Sequence, residues 1–383
     1  MDFDLTGEER ILIETLREYA AAEMRPVVAD LERRGAYPAE IIRGLADLGI
    51  LGMSIPEEYG GTGFGALQSS LVLEEIAAVC ASTAVTVSVH NTASAGPIAR
   101  FGNPDQKKRY LPRMATGEIL GGFALTEPCA GSDAAAITTR AVRQGDRYVL
   151  DGSKTWITNV RAGGVFVLMA VTDPSRGPKG ISAFLVEPGY PGFSFGKDEE
   201  KMGLRSSLTG EIRLDRCEVP AGNLLGEEGM GLRIALATLD TGRIGIASQA
   251  IGIARAAFEA SRQHARSREA FGGPIASLQA IQNKIADMAV SIDAARLLTH
   301  RAACLADGGA RDYTREASEA KLFATEMANR VCYEAVQVFG GYGYSKEYLV
   351  ERCYRDVRVT TRYEGTSEIQ RLVIARRLIA AGA

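Results

Sequence analysis

A short stretch near the C-terminus, Tyr363-Glu364-Gly365-Thr366-Ser367-Glu368, combines residue types suited to proton transfer. Glu364 lies between an aromatic ring and a glycine. A carboxylate enclosed by apolar groups loses hydration, and its pKa rises toward the range of a general base. Gly365 lets a substrate lie against the backbone. Thr366, Ser367 and Glu368 read as the cap of a final helix over Ile369–Ala380. A capped helix start with a solvated glutamate would carry the same residues, so the stretch gains meaning only from its company.

Two other stretches could hold a cofactor. The first is Leu125-Thr126-Glu127-Pro128-Cys129-Ala130-Gly131-Ser132-Asp133. Backbone N–H groups around Ala130-Gly131-Ser132 are expected to form a nest for an anion such as a pyrophosphate, with Thr126 and Ser132 adding hydroxyls. The second, Lys154-Thr155-Trp156-Ile157-Thr158-Asn159, holds the only Trp of the chain. An indole flanked by Thr hydroxyls suits a flat ring with polar edges. Arg243, in Asp240-Thr241-Gly242-Arg243, and Arg268, in Arg268-Glu269-Ala270-Phe271, are candidate partners for phosphate oxygens. Three look-alikes fail. Gly152-Ser153-Lys154-Thr155 lacks glycines that a phosphate loop needs. Gly340-Gly341-Tyr342-Gly343 follows a helix, not a strand, and is too short for a dinucleotide fingerprint. Ser248 and Ser291 have no plausible His partner for a hydrolase triad.

The composition bounds the class. The 383 residues leave room for two or three domains, and 44 basic against 47 acidic residues gives a net charge of −3. Basic residues are scattered, so neither a nucleic-acid nor a membrane surface is expected. No apolar run reaches the roughly 18 residues of a spanning helix. Six cysteines without a CxxC pair and three dispersed histidines imply free thiols and no metal site. The start Met1-Asp2-Phe3-Asp4 lacks a signal-type apolar segment, which predicts a cytoplasmic protein.

The elements that must position these residues fall into three blocks. Residues 1–120 read as a helical domain: a helix opened by the capping box Thr6–Glu9, another from Pro38, then Leu67–Ala81 and Pro104–Thr116. Residues 121–225 switch to strand patterns at Tyr148–Leu150, Val165–Val171, Ile181–Val186 and Glu211–Val219, with a hairpin turn at Arg143–Arg147. This predicts a β-barrel or sandwich. Residues 226–383 return to long amphipathic helices, marked by Ile244, Ala247, Ile251 and Ala254, then Ile281 to Ala295, then Thr314–Phe339. These predict a four-helix bundle. The fold class is therefore α+β, in the order α, β, α, without the alternation of a Rossmann domain.

Taken together, Leu125–Asp133, Lys154–Asn159, Arg268–Gly272, Gln337–Gly343 with Glu347, Arg352 and Asp356, and Tyr363–Gln370 resemble the acyl-CoA dehydrogenase family over essentially the whole chain. The likeness is strongest to short-chain, butyryl-type members at Leu239–Gln249 and Tyr363–Ile374. The resemblance implies FAD bound between the β domain and the C-terminal bundle. It assigns Leu125, Thr126, Ser132, Trp156, Ile157 and Thr158 to the flavin and pyrophosphate. Arg268, Phe271, Gln279, Gln337, Val338, Phe339, Gly340 and Gly341 go to the adenosine half, partly from a neighbouring subunit, and Thr366, Ser367 and Glu368 close the site. Ser132, Asp240, Thr241, Gly242, Arg243 and Gly365 are assigned to acyl-CoA.

The family's base stands either in the Tyr-Glu-Gly segment or on the helix carrying Arg243. Gly242 leaves the helix position empty, so Glu364 is the implied base. It would remove the α-proton while the β-hydride passes to flavin N5, giving a trans-2-enoyl-CoA. A homotetramer, arranged as a dimer of dimers, and electron-transferring flavoprotein as acceptor are also implied. Arg362, Cys129 and Phe123 depart from the family's usual residues. Two other functions share most of these features: a biosynthetic dehydrogenase of carrier-protein thioesters, and a catalytically silent flavoprotein acting as a binding partner. Retention of Glu364 weighs against the silent one.

Overall fold

The computed structural model describes residues 5–310 and 312–380, and the Met1–Asp4 start lies outside them. The chain opens with α1 (Gly7–Tyr19), α2 (Arg25–Arg34), α3 (Ala39–Asp47), α4 (Ala66–Ala77), α5 (Ala81–Ser88), α6 (Gly96–Phe101) and α7 (Pro104–Ala115). Short π-helical segments, Ala20–Met24 and Val89–Ala95, join α1 to α2 and α5 to α6. The expected cap starts α1: Thr6 Oγ1 accepts from the Glu9 N–H at 3.2 Å, and the Glu9 carboxylate accepts from the Thr6 N–H at 2.8 Å.

The sequence pattern assigns no helix between Ala81 and Pro104, yet α5, a π segment and α6 fill that span. Its Ser, Thr and Val residues lower local helix propensity. Every residue from Ala81 to Ala95 is buried, so packing decides the conformation. His90 in the π segment links two elements. Its Nδ1 accepts from the Gly121 N–H at 3.0 Å, which leaves Nε2 to donate to Leu51 O at 3.0 Å.

The strands are β1 (Leu120–Ala124), β2 (Arg140–Gln144), β3 (Arg147–Thr158), β4 (Gly163–Val171), β5 (Ile181–Val186), β6 (Phe193–Asp198), β7 (Thr209–Pro220) and β8 (Leu224–Leu225). They form one sheet in the order β6-β7-β3-β2-β4-β5-β8, with β1 paired to β4. The predicted hairpin joins β2 to β3, with Gly145 in the left-handed region at φ +64°. Among the described residues β2 and β4 pair only at Arg140 with Val171. Phe166, Leu168 and Ala170 of β4 meet Leu150 of β3 and Leu214 of β7 inside the fold. The alternate residues Val165, Val167 and Met169 face the other way, against Leu111 and Met114 of α7. This is the predicted barrel-like sandwich.

The bundle consists of α8 (Gly231–Ser267), α9 (Gln279–Asp307), α10 (Thr314–Phe339) and α12 (Ser367–Ala380), with α11 (Leu349–Val357) packed across α8 and α10. A small hairpin, β9 (Glu269–Ala270) and β10 (Gly273–Pro274), links α8 to α9. The sequence reading does not include α11. Its apolar contribution is only one short face, Val350, Cys353 and Val357. Small residues such as Ala247, Ala254, Ala324 and Ala328 fill the bundle core.

Ion pairs bind the helical layers together. Glu75 of α4 holds Arg17 of α1 at 2.8 Å and Arg255 of α8 at 2.7 Å, and Glu74 holds Arg296 of α9 at 2.9 Å. All six cysteines are free. Among the described residues no helix is long and apolar enough to cross a membrane.

Candidate active site

Glu364 stands in the turn that leads into α12. Its φ is +53° and that of Gly365 is +92°. The left-handed region costs a non-glycine residue roughly 1–2 kcal/mol, so the surroundings must hold it there. They do so by taking up the carbonyls of the turn. Gln370 Nε2 donates to the carbonyls of Glu364 and Gly365, both at 3.1 Å, and Lys321 Nζ of α10 donates to Gly365 O at 2.8 Å. Tyr363 OH donates to Gln249 Oε1 at 2.5 Å, and Gln249 Nε2 donates to Ala81 O at 2.9 Å. The turn is thereby tied to α10, α12, α8 and α5.

The carboxylate points at α8. A Cβ built on Gly242 would lie 2.1 Å from Glu364 Oε2, so the carboxyl occupies the space that a side chain at 242 would take. Oε2 is shut off from solvent and has no hydrogen-bond partner. Burial pushes the Glu364 pKa up to about 7, against the opposing pull of Lys321 and Arg243. The expected raised carboxylate is present.

Arg243 is buried beside it. Its Nη1 donates to Asp240 Oδ1 at 2.7 Å and to Ser318 Oγ at 3.2 Å, while Nε is enclosed without an acceptor. Asp240 also accepts from Thr314 Oγ1 at 2.8 Å, and Thr241 shares a 2.9 Å contact with Tyr313 OH. Thr366 caps α12, its Oγ1 accepting from the Ile369 N–H at 3.3 Å. The helix therefore starts at Ser367, two residues before the predicted Ile369, because the cap is Thr366 alone. Ser367 is buried and Glu368 exposed. Arg362 is exposed.

A second centre lies at the junction of β1 and β3. Lys154 and Glu127 are both buried and pair at 2.7 Å. Lys154 Nζ also donates to Leu125 O at 3.2 Å, and the Thr155 N–H to Thr126 O at 2.9 Å. Burial alone would raise the Glu127 pKa, but the Lys154 ammonium and the donors from Thr138 and Thr139 hold it down, to about 2. This buried pair fixes the Leu125–Thr126 peptide against the strand that presents Trp156.

Trp156 sits at φ +61° with 58% of its surface exposed, next to half-buried Thr158. The Ile157 side chain points into the sheet core. The predicted nest needs correction. The Ala130 N–H already donates to Glu127 O at 3.1 Å, closing a tight turn. Only Gly131 and Ser132, both exposed, make no backbone hydrogen bond there.

A third feature is a cleft of about 440 Å³ at the adjoining ends of α8 and α10, lined by Arg268, Gln337, Phe339, Gly340 and Gly341. His264 stacks on Phe339 with ring centroids 4.1 Å apart, and Arg268 lies over the Tyr342 ring. A Cβ on Gly340 or Gly341 would meet nothing, so the floor is open. The Val338 side chain belongs to the bundle core. Gln279 is exposed at the start of α9, and Phe271 is 93% exposed at φ +54°.

Three family domains match in sequence order: the acyl-CoA dehydrogenase N-terminal domain over residues 6–118, the middle domain over 122–217 and the C-terminal domain over 229–379. The chain belongs to the acyl-CoA dehydrogenase family. It is 47% identical to the mitochondrial short-chain specific acyl-CoA dehydrogenase of Mus musculus, over 98% of this chain and 91% of that one. The structure of butyryl-CoA dehydrogenase from Megasphaera elsdenii superposes with a TM-score of 0.96 at 43% identity, covering 99% and 100% of the two chains. A chain from a structural study of the electron transferring flavoprotein of Acidaminococcus fermentans superposes with a TM-score of 0.97 at 44% identity, covering 99% and 100%.

An acyl-CoA dehydrogenase is an FAD-dependent oxidoreductase, and the residues present fit a flavin nucleotide. A large indole held exposed at positive φ is a surface that a flat ring would cover, and the open glycine floor beside Arg268 leaves room for phosphate or sugar. At the turn, Arg243 Nε and Glu364 Oε2 are buried without a hydrogen-bond partner among the described residues. Four contributors escaped the sequence reading as functional residues: Lys321, Gln249, Gln370 and the Glu127–Lys154 pair. Each acts through burial or a backbone carbonyl, which residue type and spacing do not reveal.

Proposed function

We propose that this acyl-CoA dehydrogenase oxidises short-chain acyl-CoA thioesters between the α and β carbons, with Glu364 as the base. The observation that carries this reading is the enclosed Glu364 carboxyl, with Oε2 unpartnered and its pKa at about 7. Both protonation states are then accessible near neutral pH, as a proton acceptor requires. The Glu364 N–H makes no backbone hydrogen bond, so it is available to the thioester carbonyl as the enolate develops. Gly365 keeps that approach free of a side chain. When bound, FAD supplies the oxidant by accepting the β-hydride. Glu364 takes the α-proton, and its buried setting favours the neutral acid that results.

Leu125, Thr126, Trp156 and Thr158 would line the flavin, with Ile157 contributing backbone only. Asp240 and Arg243 would set the CoA side of the site. The cleft around Arg268 and Gln337 contains none of the β-domain flavin residues in its lining, which favours its taking the adenosine half of a neighbouring subunit's FAD. Exposed apolar residues on α9 (Val290, Leu297) and α12 (Leu372, Ile379) support a homotetramer. Electron-transferring flavoprotein as acceptor, a cytoplasmic location and a place in fatty-acid β-oxidation complete the reading.

The deciding experiment is an anaerobic titration of the FAD-loaded protein with butyryl-CoA, following flavin absorbance. Bleaching establishes the reductive half-reaction on a short-chain CoA ester. An unbleached flavin would reject that substrate and direct the search to longer, branched or carrier-protein thioesters. Arg268→Ala is expected to purify with depleted FAD and a weakened oligomer, read by flavin-to-protein absorbance ratio and sedimentation. Full FAD occupancy in that variant would remove Arg268 from the cofactor site.

A further inference from the structure

We propose that Lys321 is a positioning residue for α-proton abstraction: its buried ammonium clamps the Tyr363–Gly365 turn and supplies the counter-charge of the Glu364 carboxylate. The proposal rests on Glu364 being the base. Lys321 lies in the interior of α10 with no exposed surface. An ammonium has three donors. Lys321 makes one hydrogen bond, to Gly365 O at 2.8 Å, and no ion pair with any described carboxylate. A lone buried ammonium is costly, so it must be compensated by an anion beyond direct contact.

The charges around the pair identify that anion. Glu364 faces Lys321 on α10 and Arg243 on α8. Lys321 faces Glu364, Glu368 on α12, Glu326 on its own helix, and Arg243 as a like charge. Arg243 is already engaged by Asp240 at 2.7 Å. Glu326 is engaged by Arg371 at 2.7 Å. Glu368 is exposed, where water screens its charge. Lys321 and Glu364 are left as each other's principal opposite charge. The ammonium thus does two jobs: it fixes the strained turn through Gly365 O, and it opposes the burial that would otherwise leave Glu364 protonated and unable to accept the α-proton.

The step it supports is balanced. The α-C–H bond breaks, its proton goes to a Glu364 carboxylate oxygen, and the electron pair stays with the thioester as enolate. Lys321 stays protonated throughout.

The test compares Lys321→Met, Lys321→Gln and Lys321→Arg holoenzymes. One readout is the pH profile of kcat/KM with butyryl-CoA. The other is infrared titration of the carboxylic-acid band that Glu364→Gln deletes. Met and Gln are expected to shift the acid limb and the infrared midpoint upward by about one pH unit, since an opposite charge at close range lowers a carboxyl pKa by one unit or more. Arg is expected to leave both in place. An acid limb unmoved in Met and Gln overturns the proposal, as does Arg shifting as far as Met, which would make the residue a packing element. Gln preserves a donor and the approximate size, so the comparison with Arg stands even if the Met variant does not fold. Full turnover by Glu364→Gln would instead overturn the assignment of the base, and is read separately.

Discussion

Glu364→Gln is expected to retain FAD and the fold but to lose turnover by about 10²- to 10⁴-fold, the usual worth of a positioned base. Gln has nearly the same shape and fills the space facing Gly242. What disappears is the ability to take the α-proton, since an amide oxygen is a negligible base. The variant also leaves Lys321 without its main counter-charge, so a modest loss of stability accompanies the loss of rate. Stopped-flow bleaching of the flavin by butyryl-CoA, together with exchange of the substrate α-proton into deuterated solvent, separates the two effects. Wild-type rates in both assays would mean that another group is the base.

Lys154→Met is expected to destabilise the protein by about 3–5 kcal/mol, the range for removing one partner of a buried ion pair. Glu127 would be left in the core with donors only from the Thr138 and Thr139 backbone and the Thr138 hydroxyl, at 2.6, 3.1 and 2.8 Å. The Leu125 carbonyl would lose its anchor as well. FAD affinity should fall with stability, because the same peptide borders Trp156. Replacing both partners, Lys154→Met with Glu127→Leu, should restore part of the loss.

Denaturant unfolding with and without added FAD measures these effects, and a change below about 1 kcal/mol in the single variant would refute the argument. The pair also predicts acid sensitivity. Glu127 is held below its ordinary pKa, to about 2, so its contribution is complete above the usual carboxylate range. That contribution is lost as the pH falls through that range toward 2.

Much of this was readable from residue types. The change of pattern between residues 121 and 225 marks the sheet because Val- and Ile-rich runs bounded by turn residues suit strands, and β4 and β5 are buried on both faces. Tyr363-Glu364-Gly365 became readable as a candidate base only in the company of the other stretches, because an ordinary capped helix start carries the same residues. Lys321 carries no comparable mark. It lies 44 positions from its Gly365 partner, in a helix with other charged residues, and its burial exists only once α10 packs against the turn. The Ala81–Ala95 span resisted reading for a related reason: its hydroxyl-bearing residues favour other structures locally, and only complete burial makes it helical. The Ala130 amide was misread as a ligand donor because nothing in the residue order shows that Glu127 O claims it.

The contact between Gly242 and Glu364 also restricts how this site could change over generations. With a Cβ at 242 falling 2.1 Å from Glu364 Oε2, any side chain added there on α8 displaces the carboxyl in the turn from its present seat. On the proposal that Glu364 is the base, removing it first leaves none in the site. A lineage moving the base from one position to the other therefore passes through a displaced Glu364 or an absent one unless both codons change together. The two positions thus constrain each other, and a change at one is felt at the other.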